Sequence, residues 1–247
     1  MNLGRKNPTY DHRDLLMSRY VDTRKLTDIP ESFGHEGVIS DWRMLGNDKV
    51  GCCVLSGAAH ETMLLSSMGG NGRVFNENGV LSDYSAVTGY DPSNPASDQG
   101  TLVRNAMKYR RDVGIQDFMG GRHKIAVFVS IEPGSWNNLL LALYVFGTVG
   151  IGIQFPNSAF DQFNNLDPWS VVPGADITGG HYVPLIGFRQ NLYCVTWGRE
   201  QQITRTFYET YCDEAWCYVT EEYLQSGKTP EGLALSDLMS DLAAIQA

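Results

Sequence analysis

The chain changes period part-way along, and this change constrains its fold more than any other feature. In the first half, apolar residues recur at helical spacing. After Gly51–Cys52–Cys53, the run Val54–Met68 is rich in helix formers, with Leu55, Ala58, Ala59 and Met63 on a helical repeat. Thr101–Val113 is a second amphipathic helix, stopped by Gly114, and Ser135–Phe146 is a third, with Ser135 as its N-cap. Between them Lys124–Ile131 reads as a strand, and Val149–Phe155 as another. The second half has strand character. Tyr182–Phe188 and Leu192–Trp197 form a pair across a short turn at Arg189–Gln190–Asn191, and Ala215–Thr220 follows. Helices first and strands second predict an α+β protein: a helical lobe over about 41–120, an antiparallel β lobe over about 121–232, and a cleft between them. Residues 1–40, polar and turn-rich, read as an extended arm leading into this domain. Residues 69–100, dense in Gly, Asn, Asp, Ser and Pro, read as loops, and 233–247 as a C-terminal helical tail.

Composition narrows the function. The 247 residues are 43% hydrophobic and carry a net charge of −9, so a sizeable core is available and no basic surplus exists for nucleic acid. The N-terminus lacks the apolar core of a secretory signal. The longest apolar run, Leu139–Ile153, is broken by Gly147, Thr148, Gly150 and Gly152, and falls short of the roughly 20 residues of a membrane helix. A soluble protein without a membrane partner is expected. Five cysteines, an odd number without an export signal, argue against a disulfide framework. Cys194, Cys212 and Cys217 form an alternative metal-binding set, although their spacing matches no common ligand pattern.

A nucleophilic thiol needs a lowered pKa, a nearby base and donors for an oxyanion. Cys53 sits where a Gly-preceded loop turns into a helix, so the helix dipole and free N–H groups favour its thiolate. His181 supplies a base on a Gly179–Gly180 turn leading into a strand, and the two glycines leave room for close backbone approach. A buried Cys is ordinarily a small hydrophobe and a His beside a turn an ordinary surface residue. It is their order and surroundings that single them out.

Those surroundings resemble the papain-like cysteine peptidases, and bacterial members in particular. Ile29–Pro30–Glu31–Ser32–Phe33 followed by Asp41–Trp42–Arg43 is similar to the start of such a mature domain, and Asp11–His12–Arg13–Asp14 to a short upstream motif of bacterial relatives. Asn47 stands six residues before Cys53, where the family has Gln, and Gly51–Cys52–Cys53 replaces Gly-Ser-Cys. Asp98–Gln99–Gly100–Thr101 resembles a helix opening, Gly179–Gly180–His181 with Val183, Leu185, Ile186, Gly187 and Phe188 the histidine strand, and Trp197–Gly198 the end of Asn-Ser-Trp-Gly. Trp216–Cys217–Tyr218–Val219 with Glu222–Tyr223–Leu224 resembles the closing strand. The likeness spans roughly residues 10 to 225.

The resemblance implies a papain-like two-lobe fold and a thiol-dependent peptidase or amide hydrolase. Cys53 would be the nucleophile, with Cys52 as the rival candidate, and His181 the general base. Asn47 and the Cys53 N–H would stabilise the oxyanion. No cofactor is implied, and the partner is a peptide or protein substrate. The departures are specific. Asn47 is one methylene shorter than Gln, and a lost oxyanion donor costs on the order of 10²–10³ in rate. Val54 replaces a bulky aromatic, and Tyr182 stands where a small residue is usual. The Asn that orients the His falls at Val195, which has no hydrogen-bonding side chain. Strand alternation puts Val195 on the face of Trp197, and only a bulge or slip would bring Thr196 round instead. His60 reads as a satisfied helix residue. The long inhibitory propeptide of the family has no counterpart before Cys53, so control is expected from elsewhere. A catalytically degenerate module with a structural or binding role is the alternative. A phage virion component, contacting other subunits of a larger assembly, is one form of it. The expected location is cytoplasmic, or the virion for a phage-encoded chain.

Overall fold

The computed structural model describes residues 1–12, 14–19 and 29–220. A two-residue strand β1 (Phe33–Gly34) precedes helix α1 (Cys53–Met68), followed by α2 (Glu77–Thr88) and α3 (Val103–Asp112). A short hairpin, β2 (Ile115–Gln116) and β3 (Arg122–His123), leads to strand β4 (Ile125–Ile131) and helix α4 (Trp136–Phe146). Strand β5 (Val149–Pro156), helix α5 (Ser158–Asn164) and the long strand β6 (Ile177–Phe188) come next. The chain continues through β7 (Leu192–Thr196), β8 (Arg199–Ile203), helix α6 (Arg205–Tyr211) and β9 (Cys212–Thr220). The class is α+β, as expected.

The main sheet runs β4-β9-β5-β6-β7-β8, with β1 added to β6, and each of its strand pairs is antiparallel. Glycines in β5 act as spacers within it. A Cβ at Gly150 would lie 1.7 Å from the Tyr182 hydroxyl, and one at Gly152 would lie 2.5 Å from Glu214 Cγ. The glycines that break the apolar run therefore make room for large polar side chains of β6 and β9.

Helix α1 is buried on every side from Cys53 to Ser66 rather than along one stripe. Two of its hydroxyls are satisfied locally: Ser56 donates to the Cys52 and Cys53 carbonyls, and Thr62 to the Ala58 carbonyl. Helix α3 does carry an amphipathic face of Val103, Ala106, Met107 and Arg110, and left-handed Gly114 (φ 87°) follows it. Ser135 occupies the N-cap of α4 without a side-chain cap bond, and left-handed Gly147 ends that helix.

The expectation that 69–100 is all loop is corrected by α2. Its polar sequence, with only Val80 and Tyr84 as large buried side chains, hides the period, while Asn76 caps Gly79 N–H and left-handed Gly89 ends it. Helices α5 and α6 likewise interrupt stretches without a helical pattern in the sequence. The expected helical tail at 233–247 and the Glu222–Tyr223–Leu224 segment lie outside the described residues. No helix among the described residues is long and apolar enough to cross a membrane.

Candidate active site

Cys53 is the first residue of α1, and its thiol faces the backbone N–H groups of Tyr182, Gly4 and Val54. Cys52 is the N-cap, and its thiol turns the other way, toward the Leu45 carbonyl at 3.7 Å. Tyr182 follows His181 on β6, so the helix opening and the histidine strand meet at this point. His181 lies within β6 rather than on a turn, because the strand reaches back to Ile177 and takes Gly179 and Gly180 with it.

The third position differs from the expectation. His181 Nε2 lies 2.7 Å from Thr196 Oγ1. Val195 instead packs with Trp42, Leu64 and Ile186 in a separate apolar cluster. Two irregularities change the alternation expected of this strand. The β6–β7 register shifts between Leu185 and Gly187, and Trp197 leaves the strand with φ 46°. The indole of Trp197 then stacks on the His181 ring, with centroids 4.4 Å apart and planes 16° from parallel, so residues 196 and 197 both reach one imidazole. His181 Nδ1 is buried and makes no hydrogen bond among the described residues.

Residues 2–6 cross this site. Gly4 and Arg5 N–H groups donate to the Gly180 carbonyl at 3.2 and 3.0 Å. On the other side, Thr101 N–H donates to the Gly4 carbonyl at 2.7 Å and Lys6 N–H to the Thr101 carbonyl at 2.9 Å. Three glycines make the crossing feasible. A Cβ on Gly4 would sit 1.7 Å from the Gly51 carbonyl oxygen, one on Gly100 2.2 Å from the Gly4 oxygen, and one on Gly180 2.2 Å from the Arg5 oxygen. The room expected beside His181 is thus taken by the chain's own backbone. The Thr101 loop is braced from below: Gly51 N–H donates to Asp98 Oδ2 at 2.8 Å, and the Tyr84 hydroxyl donates to Asp98 while accepting from Gly100 N–H.

Asn47 is engaged as well. Its Nδ2 donates to the Asn2 carbonyl and to the Val50 carbonyl, each at 3.1 Å, and its own carbonyl accepts from Asn2 N–H. Both amide protons are used, one of them by the crossing segment.

Burial governs the electrostatics. Cys53 is 1% and His181 0% exposed. Burial pushes the Cys53 thiol up to about 11, against the pull of the three N–H groups and the Arg5 charge. It pushes His181 down to about 3, with the Arg5 charge adding to the effect. In this covered state thiol and imidazole are both neutral at pH 7.

Below the site, α1 and β6 are joined by a buried polar clamp that sequence reasoning missed. The Tyr182 hydroxyl donates to Glu61 Oε1 at 2.8 Å, and Arg110 Nη1 donates to Glu61 Oε2 at 2.6 Å while its guanidinium lies over the Tyr218 ring. Cys53, Gly57 and Glu61 lie one helical turn apart in succession. A Cβ on Gly57 would come within 2.7 Å of the Tyr182 ring. The large residue beside His181 is thus matched by small ones opposite. His60 is a satisfied helix residue, with Nε2 3.0 Å from the Arg43 carbonyl oxygen. Cys212 and Cys217 thiols turn to backbone carbonyls, and no cluster of three or more His, Cys, Asp or Glu among the described residues is placed to hold a metal ion.

No family model matches the sequence, and no curated protein matches it. Solved structures do match. Xylellain, a cysteine protease from Xylella fastidiosa, superposes with a TM-score of 0.67 over 88% of this chain and 95% of its own, at 14% identity. A proCathepsin B from Trypanosoma congolense gives 0.61 over 88% and 86%, at 12% identity. The Carica candamarcensis cysteine protease CMS1MS2, in complex with E-64, gives 0.56 over 77% and 99%, at 13% identity.

Proposed function

We propose that this chain, which has the fold of the papain-like cysteine peptidases, is a thiol-dependent peptidase or amide hydrolase with a covered site. The observation that carries this reading is the 2.7 Å contact between His181 Nε2 and Thr196 Oγ1 beneath the Trp197 indole. It supplies the orienting group that the sequence seemed to lack. In the tautomer with the proton on Nε2, Thr196 accepts it and Nδ1 is left as the base. Cys53, at the opening of α1, is the nucleophile: its thiolate attacks the carbonyl carbon of the substrate amide while His181 takes the thiol proton and returns it to the leaving amine. Water then hydrolyses the thioester. The Cys53 N–H and the Asn47 amide serve the oxyanion. Displacing residues 2–6 frees the Asn47 proton that the Asn2 carbonyl holds.

The neutral, buried thiol and imidazole favour a second reading, a catalytically degenerate module that keeps the fold for a structural or binding role. Iodoacetamide labelling of a Gly4→Ala chain from pH ~4 to 9, read by peptide mass spectrometry, separates the two. Rapid labelling of Cys53 well below the ordinary thiol pKa of about 8.5, slowed by His181→Ala, supports the hydrolase. Labelling no faster than that of a free thiol supports the degenerate module.

A further inference from the structure

The segment that crosses the thiol also marks a pocket beside it. The Arg5 side chain is wholly buried, although it belongs to an irregular stretch. Its Nη1 lies 2.8 Å from Glu214 Oε1 and 2.9 Å from Asp213 Oδ1, and its Nη2 donates to Asp213 Oδ2 at 2.9 Å. Two carboxylates therefore grip one guanidinium fork, a geometry an ammonium does not reproduce. The pocket is built rather than incidental. Glu214 is held from behind by Trp216 Nε1 at 3.0 Å, and Gln154 Nε2 donates to Asp213. Gly152, paired with Glu214 across the β5–β9 ladder, leaves the space that Arg5 fills: a Cβ there would lie 2.8 Å from Arg5 Cδ. The site is close enough to Cys53 and His181 for the Arg5 charge to bear on both. Once residues 2–6 are displaced, buried Glu214 and half-buried Asp213 are left without a cation, which is unfavourable.

We propose that Gly152, Asp213 and Glu214 form a substrate side-chain pocket that takes the guanidinium of a peptide arginine, with Arg5 as its resident mimic. Its role in turnover rests on the hydrolase reading given above.

The test is thermal melting of the full chain carrying Arg5→Ala, with N-acetyl-arginine methylamide or N-acetyl-norleucine methylamide added. The arginine probe is expected to raise the melting temperature and to bind at least about tenfold more tightly than the norleucine probe. A further Glu214→Gln change is expected to abolish that preference, and Asp213→Asn, at the more exposed acid, to weaken it. Equal stabilisation by the two probes, or none by either, overturns the pocket, as does a preference that survives both acid substitutions. Melting does not depend on a reactive thiol. An arginine preference in a chain whose Cys53 is not activated would keep the guanidinium site and sink only the hydrolase reading. An activated Cys53 without that preference would sink only the pocket.

Discussion

At the level of single residues, the assignment of Thr196 separates this site from the one that strand alternation predicts. Thr196→Ala in the Gly4→Ala background is expected to slow the His181-dependent alkylation of Cys53 and any amide hydrolysis by between about tenfold and 10⁴-fold. Thr196→Ser is expected to restore both. Val195→Ala is expected to leave both unchanged and to lower stability by about 1–3 kcal/mol through the cluster with Trp42, Leu64 and Ile186, measured by urea denaturation. A loss of thiol reactivity in Val195→Ala but not in Thr196→Ala would reverse the assignment. As candidates, Cys53, His181 and Asn47 stand out in the sequence because each sits beside a local signal, such as a glycine-led helix opening or a fixed spacing. Thr196 does not, because its orientation follows from a register shift in β6 and a left-handed backbone at Trp197. Neither feature leaves a mark in side-chain periodicity.

At the level of elements, α1 and β6 are joined by polar groups as well as by shape. Glu61 accepts from Tyr182 and from Arg110 where no water reaches it. Tyr182→Phe removes one donor and is expected to cost about 1–3 kcal/mol. Arg110→Met leaves the Glu61 charge without its cation and is expected to cost about 3–5 kcal/mol. Equilibrium denaturation of the two variants checks the order. The elements themselves were readable where period and caps agree, as in α3, α4 and the β6–β7 pair. They were hidden where a helix such as α2 buries few large side chains, and in β6, where glycines that resemble a turn extend a strand instead. The clamp was invisible because Glu61, Arg110 and Tyr182 are far apart in the chain and each looks like a surface or packing residue by itself.

For the whole molecule, burial of titratable groups sets a pH window. His181 is held down to about 3 and His60 to about 4, both from 6.5, by burial. Between those values the unfolded chain binds protons that the folded chain refuses, so stability falls as pH drops below about 6.5. Cys53 is held up to about 11 from 9.0, so above pH 9 the unfolded chain loses a proton that the folded chain keeps, and stability falls again. Melting temperature is therefore expected to peak between these limits, and His60→Gln to flatten the acid side if the fold tolerates the change. A melting temperature unchanged from pH 7 to pH 4 would contradict the burial of both imidazoles. The same geometry has a colloidal side. The outer strands of the main sheet, β4 and β8, present backbone groups that another chain could pair with. Among the described residues each is met by a bridge from an irregular segment, Leu16 to Ser130 on β4 and Trp169 to Ile203 on β8. These two small staples act as bumpers against self-templating, and the one on β4 sits next to Asp14, which Arg104 holds in place. Loosening that ion pair is expected to turn a folded molecule into one that clumps with its neighbours before it melts, seen as light scattering below the melting temperature.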